Sequence, residues 1–279
     1  MTEKLTTTIK LIRPVNFFIT FVSVIVAAII CQPYKTPGLN IFLAAFAASF
    51  SLASGNIIND IYDVSTDKIN KPFRPLPSGK ITQQESYILY ILFAFISILL
   101  SIFLNEVAMV IVLSSILLLF VYSKYLKQIP LLGNITVALL TGIVFIFGGV
   151  VVQNPAAAIV PAVFAFLINL IREIVKDMED VEGDNRAGVI TFPIKFGFQK
   201  SKILILIIAI FLILFTLFPF LSNLYKIEYF IAVMVIVNPI LVYCIKILFE
   251  STSIENLNKI SNLLKLSMVF GLIAIYLGV

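Results

Sequence analysis

The stretch Leu39-Asn-Ile-Phe-Leu-Ala-Ala-Phe-Ala-Ala-Ser-Phe-Ser-Leu-Ala-Ser-Gly-Asn56-Ile-Ile58 runs without a charge into Asn59-Asp60-Ile-Tyr-Asp63-Val-Ser-Thr-Asp67. Its apolar part matches the roughly 20 residues a helix needs to cross hydrocarbon. The acidic part is then an energetic problem, because an ionised carboxylate beside hydrocarbon loses its hydration. A second such junction reads Arg172-Glu173-Ile-Val-Lys176-Asp177-Met-Glu179-Asp180-Val-Glu182-Gly-Asp184 and follows another apolar run. Carboxylates persist in such places when something compensates them.

The rest of the chain has the same membrane character. Of 279 residues, 60% are hydrophobic and 13% charged, against roughly 45–50% and about 25% in a soluble domain. The mean hydropathy is +1.07. Apolar runs fall near 15–32, 39–59, 86–104, 107–123, 131–152, 156–174, 203–221, 228–249 and 263–279, which predicts an all-α, polytopic membrane protein of about nine spans. A transmembrane barrel would instead show ~10-residue alternating segments. The net charge of +5 is spread over short segments between spans. Nucleic-acid binders gather basic residues in soluble patches, so no nucleic-acid partner is expected.

Threading the spans with the amino terminus in the cytoplasm sorts the cations by side. Inside fall Lys4, Lys10, Arg13, Lys68, Lys71, Arg74, Lys80, Lys124 and Lys127. The same side receives Arg172, Lys176, Arg186, Lys195, Lys200, Lys202, Lys246, Lys259 and Lys265. Only Lys35 and Lys226 fall outside. That asymmetry obeys the positive-inside rule and puts both acidic stretches on the cytoplasmic face. The first apolar run exceeds the usual ~7–15-residue core of a signal peptide, so it reads as a retained span. Cys31 and Cys244 fall near opposite faces and should not form a disulfide. With no histidine, imidazole metal sites and Ser-His triads are excluded.

Two inside loops, about 60–85 and 176–202, are much longer than the outer turns at Asn105-Glu106 and Gln153-Asn154. Long loops in a compact chain tend to carry function. In Lys71-Pro72-Phe73-Arg74-Pro75-Leu76-Pro77-Ser78-Gly79-Lys80 the prolines predict extended backbone. Glu182-Gly183-Asp184-Asn185-Arg186-Ala187-Gly188 reads as a helix end and turn. Two acidic helix ends, each followed by a basic loop, hint at a repeat of about four spans. Gly142, Gly148 and Gly149 in the fifth run suit close helix packing.

If the second span continues as a helix, Asn59, Asp63 and Asp67 share one face at i, i+4 and i+8, with Asp60 beside Asp63. Asp177, Asp180 and Asp184 share a face at i, i+3 and i+7. Like charges so placed repel, and a bridging hard cation such as Mg²⁺ would relieve them. One such stretch could be an ordinary solvated helix end, and Lys176 with Asp180 an ordinary helix ion pair. Two of them on one face, each beside Lys and Arg, offer what a diphosphate requires: metal ligands and cations together.

These residues resemble the paired aspartate motifs of the UbiA intramembrane prenyltransferases. The carriers are Asn59-Asp60-x-x-Asp63-x-x-x-Asp67, Asn70-Lys71-Pro72-x-Arg74-Pro75-x-Pro77-Ser78-Gly79 and Asp177-x-x-Asp180-x-x-x-Asp184. Glu182-Gly183-Asp184 with Phe192-Pro193-Ile194-x-x-x-Gly197, Arg13-Pro14-Val15-Asn16 and Tyr122-x-x-x-x-Lys127 extend the match. The resemblance implies a single domain over 1–279, with nine helices around a cavity open to lipid. It also implies Mg²⁺-dependent transfer of a prenyl group from a polyprenyl diphosphate. Asn59, Asp63, Asp180 and Asp184 would hold metal, and Asp60, Asp67, Asp177 and Lys127 would assist catalysis. Asn16, Lys68, Arg74, Tyr122, Arg172, Lys176 and Arg186 would bind substrate. Metal-bound diphosphate leaves readily, and the C1–O bond ionises toward an allylic cation.

The pattern Arg172-Glu173-Ile-x-Lys176-Asp177-x-Glu179-Asp180-x-Glu182-Gly183-Asp184, with Thr141-Gly142-x-Val144-Phe145-Ile146-Phe147-Gly148-Gly149, is most similar to the archaeal lipid branch of that family. There the donor is geranylgeranyl diphosphate and the acceptor a lipid phosphate, geranylgeranylglyceryl phosphate. Arg186 or Lys195 could serve the acceptor's phosphate. An aromatic or quinone-precursor acceptor is the alternative. A cation transporter would place carboxylates at mid-membrane with access from both sides, which these spacings do not.

Overall fold

The computed structural model describes residues 2–32 and 38–279, so Lys35 lies outside the described residues. The elements are α1 (Thr2–Ile12), α2 (Pro14–Cys31), α3 (Leu39–Tyr62), α4 (Val64–Asn70), α5 (Gln83–Ile102), α6 (Glu106–Lys124) and α7 (Leu132–Val151). They continue as α8 (Ile159–Glu179), α9 (Val181–Arg186), α10 (Phe192–Leu221), α11 (Ile227–Ala232), α12 (Asn238–Glu250) and α13 (Ile254–Gly278). Nine helical segments among the described residues are long and apolar enough to cross a membrane. Those segments begin or end some residues away from the apolar runs, because polar ends continue the helices. The seventh starts at Phe192 and bends at Gly197, whose φ of 84° lies in the left-handed region. The eighth passes through a π-turn, Val233–Val237, between α11 and α12.

Local chemistry accounts for several boundaries. Thr82 and Glu85 form a reciprocal capping box at the start of α5. Asn105 accepts from Ala108 N–H at 2.8 Å to start α6, and Ser253 caps α13 through Asn256 N–H. Pro14 and Pro193 stand in the first turns of α2 and α10, where a missing N–H is harmless. Apolar side chains left on the outside also follow helical spacing. On α5, Ile88, Ile91, Phe95, Leu99 and Ile102 are all exposed, which is a lipid-facing stripe.

Contacts divide the chain into two compact units. The first comprises 1–127, 143–158 and 186–188, and the second 128–142, 159–185 and 189–279. In the first, α3 is the central helix and packs against α2, α5 and α6. Its buried face is made of Ala44, Ala45, Ala47, Ser49, Ala53, Ser54 and Gly55, and small residues of this kind let helix backbones approach. Buried hydroxyls bond to backbone oxygens: Ser97 Oγ donates to Ala47 O at 2.7 Å. A second cluster gathers Leu11 of α1, Ile57, Ile58 and Ile61 of α3, and Leu76 and Ile81 of the following loop. In the second unit α8 packs against α10 and α13, and α12 against α13. Tyr229 is fully buried and its hydroxyl donates to Thr216 O at 2.8 Å. Cys31 and Cys244 are buried free thiols.

The fifth-run glycines pack as their spacing suggested. A Cβ on Gly148 would lie 2.6 Å from the Ala27 Cβ and 3.0 Å from Val24 O, and one on Gly142 would lie 2.9 Å from Ala162 O. Gly148→Leu is therefore expected to destabilise the protein by about 1–3 kcal/mol through overpacking. A thermal unfolding curve of the purified protein in detergent should show a lowered Tm; an unchanged Tm would mean that α2 and α7 are free to separate here.

Candidate functional site

The first acidic stretch is not one continuous helix. α3 ends at Tyr62, Asp63 takes φ −90° and ψ 2°, and α4 resumes at Val64. Backbone bonds still bridge the break, from Asp63 N–H to Asn59 O at 2.9 Å and from Asp67 N–H to Asp63 O at 2.7 Å. The side chains then sort into two sets, which departs from the single face of Asn59, Asp63 and Asp67. Asn59 Nδ2 donates to Asp63 Oδ2 at 2.8 Å. Asp67 instead joins Asp60, because Arg74 Nη1 reaches Asp67 Oδ2 at 2.6 Å and Asp60 Oδ1 at 3.1 Å. Arg13 Nη2 closes on the same Asp60 oxygen at 2.5 Å.

Asp60 and Asp67 are 3% and 4% exposed, so each buried carboxylate has a guanidinium against it. Arg13 and Arg74 compensate Asp60, and Arg74 compensates Asp67. Arg74, expected to bind substrate, is committed to these two aspartates. The loop that delivers it is a run of tight turns, not extended backbone. Ser78 N–H bonds to Arg74 O at 3.0 Å and Lys80 N–H to Pro75 O at 3.1 Å. Prolines at turn positions pre-set φ, Gly79 supplies a φ of 72°, and buried Leu76 and Ile81 anchor the loop.

Lys127 follows α6 in a single 3₁₀ turn, and its Nζ pairs with Asp63 Oδ2. Asn59 Oδ1 is buried with no hydrogen-bond partner among the described residues. An orphaned carbonyl oxygen beside a carboxylate is a donor set that fits a hard cation such as Mg²⁺. Among the described residues no three Asp, Glu, Cys or His side chains gather into a metal centre by themselves. Of the remaining first-unit positions, Asn16 is exposed in the first turn of α2, Lys68 is exposed on α4, and Tyr122 is half-buried on α6.

In the second unit α8 ends at Glu179, Asp180 lies in a bend, and α9 follows. Asp180 N–H bonds to Lys176 O and Asp184 N–H to Asp180 O, both at 2.9 Å. A short helix occupies 181–186 and the chain then turns at Gly188, with φ 72°, in line with the helix end and turn read from the sequence. Asp177 Oδ2 accepts from Asn134 Nδ2 at 2.8 Å. Asp180 is exposed, as is Arg186 at the end of α9. Lys176 pairs not with Asp180 but with Glu173, at 3.1 Å, and Arg172 Nη1 reaches the same residue at 3.0 Å. Arg172 Nε is buried without a partner among the described residues. Lys195 is exposed beside the Phe196 ring, 5.4 Å from its centroid.

Arg13 was legible only as an inside cation and as part of the Arg13-Pro14-Val15-Asn16 match, and neither Asn134 nor Glu173 had a site role in the sequence. A polar Asn in the first turn of an apolar run was the available clue to Asn134. Its partner is 43 residues away, however, and Asp60 is 47 residues from Arg13.

The model of the UbiA prenyltransferase family matches residues 20–267. The digeranylgeranylglyceryl phosphate synthase of Methanosphaera stadtmanae is 34% identical, over 97% of this chain and 98% of its own. That of Methanocaldococcus jannaschii is 36% identical, over 99% and 97%. A solved structure of a digeranylgeranylglyceryl phosphate synthase superposes with a TM-score of 0.82 at 35% identity, covering 100% of this chain and 99% of that one. A UbiA homologue from Archaeoglobus fulgidus, solved with GPP and Mg²⁺, has the same fold, with a TM-score of 0.67 at 19% identity over 96% and 99%.

Arg74→Ala is expected to leave Asp67 without a partner and Asp60 with Arg13 alone. Removing one member of a buried pair costs about 3–5 kcal/mol, and the 25% exposure of the Arg74 side chain places the loss toward the lower end. Thermal unfolding beside Lys80→Ala, at an exposed position, provides the comparison. Equal Tm values for the two variants would contradict a structural role for Arg74.

Proposed function

The chain belongs to the UbiA prenyltransferase family, and from that premise we propose that it transfers a geranylgeranyl group to the free hydroxyl of geranylgeranylglyceryl phosphate. The donor is geranylgeranyl diphosphate. The substrate assignment is carried by the full-length match to digeranylgeranylglyceryl phosphate synthases at 34–36% identity. The whole chain acts as one multi-pass membrane domain, and its Lys and Arg distribution favours a cytoplasmic face for the chemistry.

The reaction breaks the donor C1–O bond, whose electron pair leaves with the diphosphate. The acceptor oxygen forms a new ether bond to C1, and its hydroxyl proton passes to solvent. Mg²⁺, when bound, neutralises charge on the diphosphate and makes it a better leaving group. In the first unit Asn59 and Asp63 would hold Mg²⁺, and in the second unit Asp180 and Asp184 would do so. The buried, unpartnered Asn59 Oδ1 is the observation that favours the first pair. Mg²⁺ is typically held by one or two carboxylates together with substrate phosphates. A UbiA homologue solved with GPP and Mg²⁺ supports that chemistry in this fold.

The other residues act by position and charge. Lys127, Arg172 and Lys176 take diphosphate oxygens, with Asn16, Lys68 and Tyr122 as further substrate contacts. Arg74 acts through Asp60 and Asp67, which it orients. Asp177 is oriented by Asn134. Arg186 and Lys195 are offered to the acceptor's phosphate. A hydroxyl meeting an allylic cation needs little prior deprotonation, so no strong general base is required.

Purified protein with Mg²⁺, geranylgeranyl diphosphate and competing acceptors should yield, by mass spectrometry, the digeranylgeranyl ether of glyceryl phosphate. Product from an aromatic acid instead would overturn the acceptor assignment. Asp63→Ala combined with Asp180→Ala is expected to lower turnover by at least about a thousandfold, the scale of losing charge stabilisation at a reacting centre. Activity retained in that variant would sink the mechanism. Arg186→Ala and Lys195→Ala should raise the acceptor KM and leave the donor KM unchanged.

A further inference from the structure

The second unit's proposed diphosphate cations are already tied to a carboxylate on their own helix. Arg172 Nη1 donates to Glu173 Oε1 at 3.0 Å, and Lys176 Nζ donates to Glu173 Oε1 and Oε2 at 3.2 and 3.1 Å. Arg172 and Lys176 stand one turn apart on α8, and Glu173, three residues before Lys176, reaches both. The Glu173 side chain is 13% exposed, against 22% for Arg172 and 40% for Lys176. The carboxylate is therefore the least hydrated member of the trio. Arg172 Nε remains a buried donor with no partner among the described residues. The guanidinium thus has capacity for a further anionic oxygen even while Glu173 is engaged.

We propose that Glu173 is a positioning residue that competes with diphosphate for Arg172 and Lys176, so that product pyrophosphate is held weakly enough to leave. The inference rests on the reading that Arg172 and Lys176 contact the diphosphate. Two effects oppose each other. Glu173 holds two long side chains in place, which favours anion binding by about two- to tenfold for each side chain fixed. Its own charge lies beside both cations and weakens binding. A unit charge about 4 Å away changes an anion's affinity about fivefold even at the dielectric of water, and far more at a part-buried position. The two ordered side chains together are worth about four- to hundredfold, whereas the same charge at an effective dielectric of about 20 is worth several hundredfold, so charge competition dominates. A tightly held product lowers turnover, because release is often the slow step.

The test is inhibition of the full-length enzyme by inorganic pyrophosphate in detergent. Glu173→Gln keeps the shape and removes the charge. It is expected to lower the pyrophosphate Ki about tenfold and to reduce kcat and donor KM together. Glu173→Asp keeps the charge and should stay within about threefold of the parent Ki, on the same electrostatic argument. A Ki unchanged or raised in Glu173→Gln overturns the inference, since a merely structural carboxylate would loosen the anion site. Where the glutamine variant does not fold, as judged by its Tm, Glu173→Ser is read in the same way. Arg172→Ala separates the two levels. If it leaves the Ki unchanged, the diphosphate contact itself is wrong. If it raises the Ki while Glu173→Gln does not lower it, only the role of Glu173 fails.

Discussion

Asp60 sits at the polar end of a membrane-spanning helix, 3% exposed, with two guanidinium groups on one of its oxygens. The two guanidinium groups offset the desolvation that burial imposes on that carboxylate. Satisfying it fixes much of the first unit. Arg13 must lie where α1 passes into α2, and it does so in a left-handed conformation with φ 54°. Arg74 must come back from a loop fourteen residues on, which requires the turns around Pro75 and Gly79 and the anchoring of Leu76 and Ile81. The Asp67 carboxylate then shares Arg74, and α4 is held against its own loop.

The same electrostatic accounting separates the two motifs. In the first, Asp60, Asp63 and Asp67 face Arg13, Arg74 and Lys127, so each carboxylate has a cation. In the second, Arg172 and Lys176 are tied to Glu173, and Asp177 is held by the neutral amide of Asn134. The first motif is thus matched by lysine and arginine, whereas the second keeps Asp177 and exposed Asp180 without an ion pair among the described residues. Asn59 Oδ1 in the first has no hydrogen-bond partner among the described residues, and Asp180 in the second is exposed. The two stretches, alike in spacing, differ in what holds Asp60 and Asp177: guanidinium groups in one and a neutral amide in the other.

Much of the fold was legible in the chain because the bilayer makes one demand on every span. Hydrocarbon requires about 20 apolar residues with all backbone groups bonded internally, and the nine runs meet it. Gly142 and Gly148 were readable for a related reason, since only small residues admit close backbones between lipid-embedded helices. The acidic stretches were legible through the chemistry of Asp at helical spacing. Periodicity alone could not show the break at Asp63, the short helix after Asp180, or the preference of Lys176 for Glu173 over Asp180. Those outcomes turn on local backbone angles and on rotamers that differ little in energy along an isolated helix.

The sequence by itself determined that this is a helical membrane protein of about nine spans with two acid-rich junctions, because hydrophobic length and carboxylate spacing are local properties of the chain. Its resemblance to the UbiA family likewise lay in contiguous motifs. Only the tertiary structure decided what compensates each carboxylate. Arg13, Arg74, Lys127 and Asn134 come from elsewhere in the chain to meet Asp60, Asp67, Asp63 and Asp177. An ion pair is chosen by which side chains the packing brings within about 4 Å; for the two longest-range pairs, Lys127 with Asp63 and Arg13 with Asp60, that follows from how α1, α2, α3 and the turn after α6 lie together. The spacing of the acidic residues could be read along the chain; the counterions that packing brings to them could not.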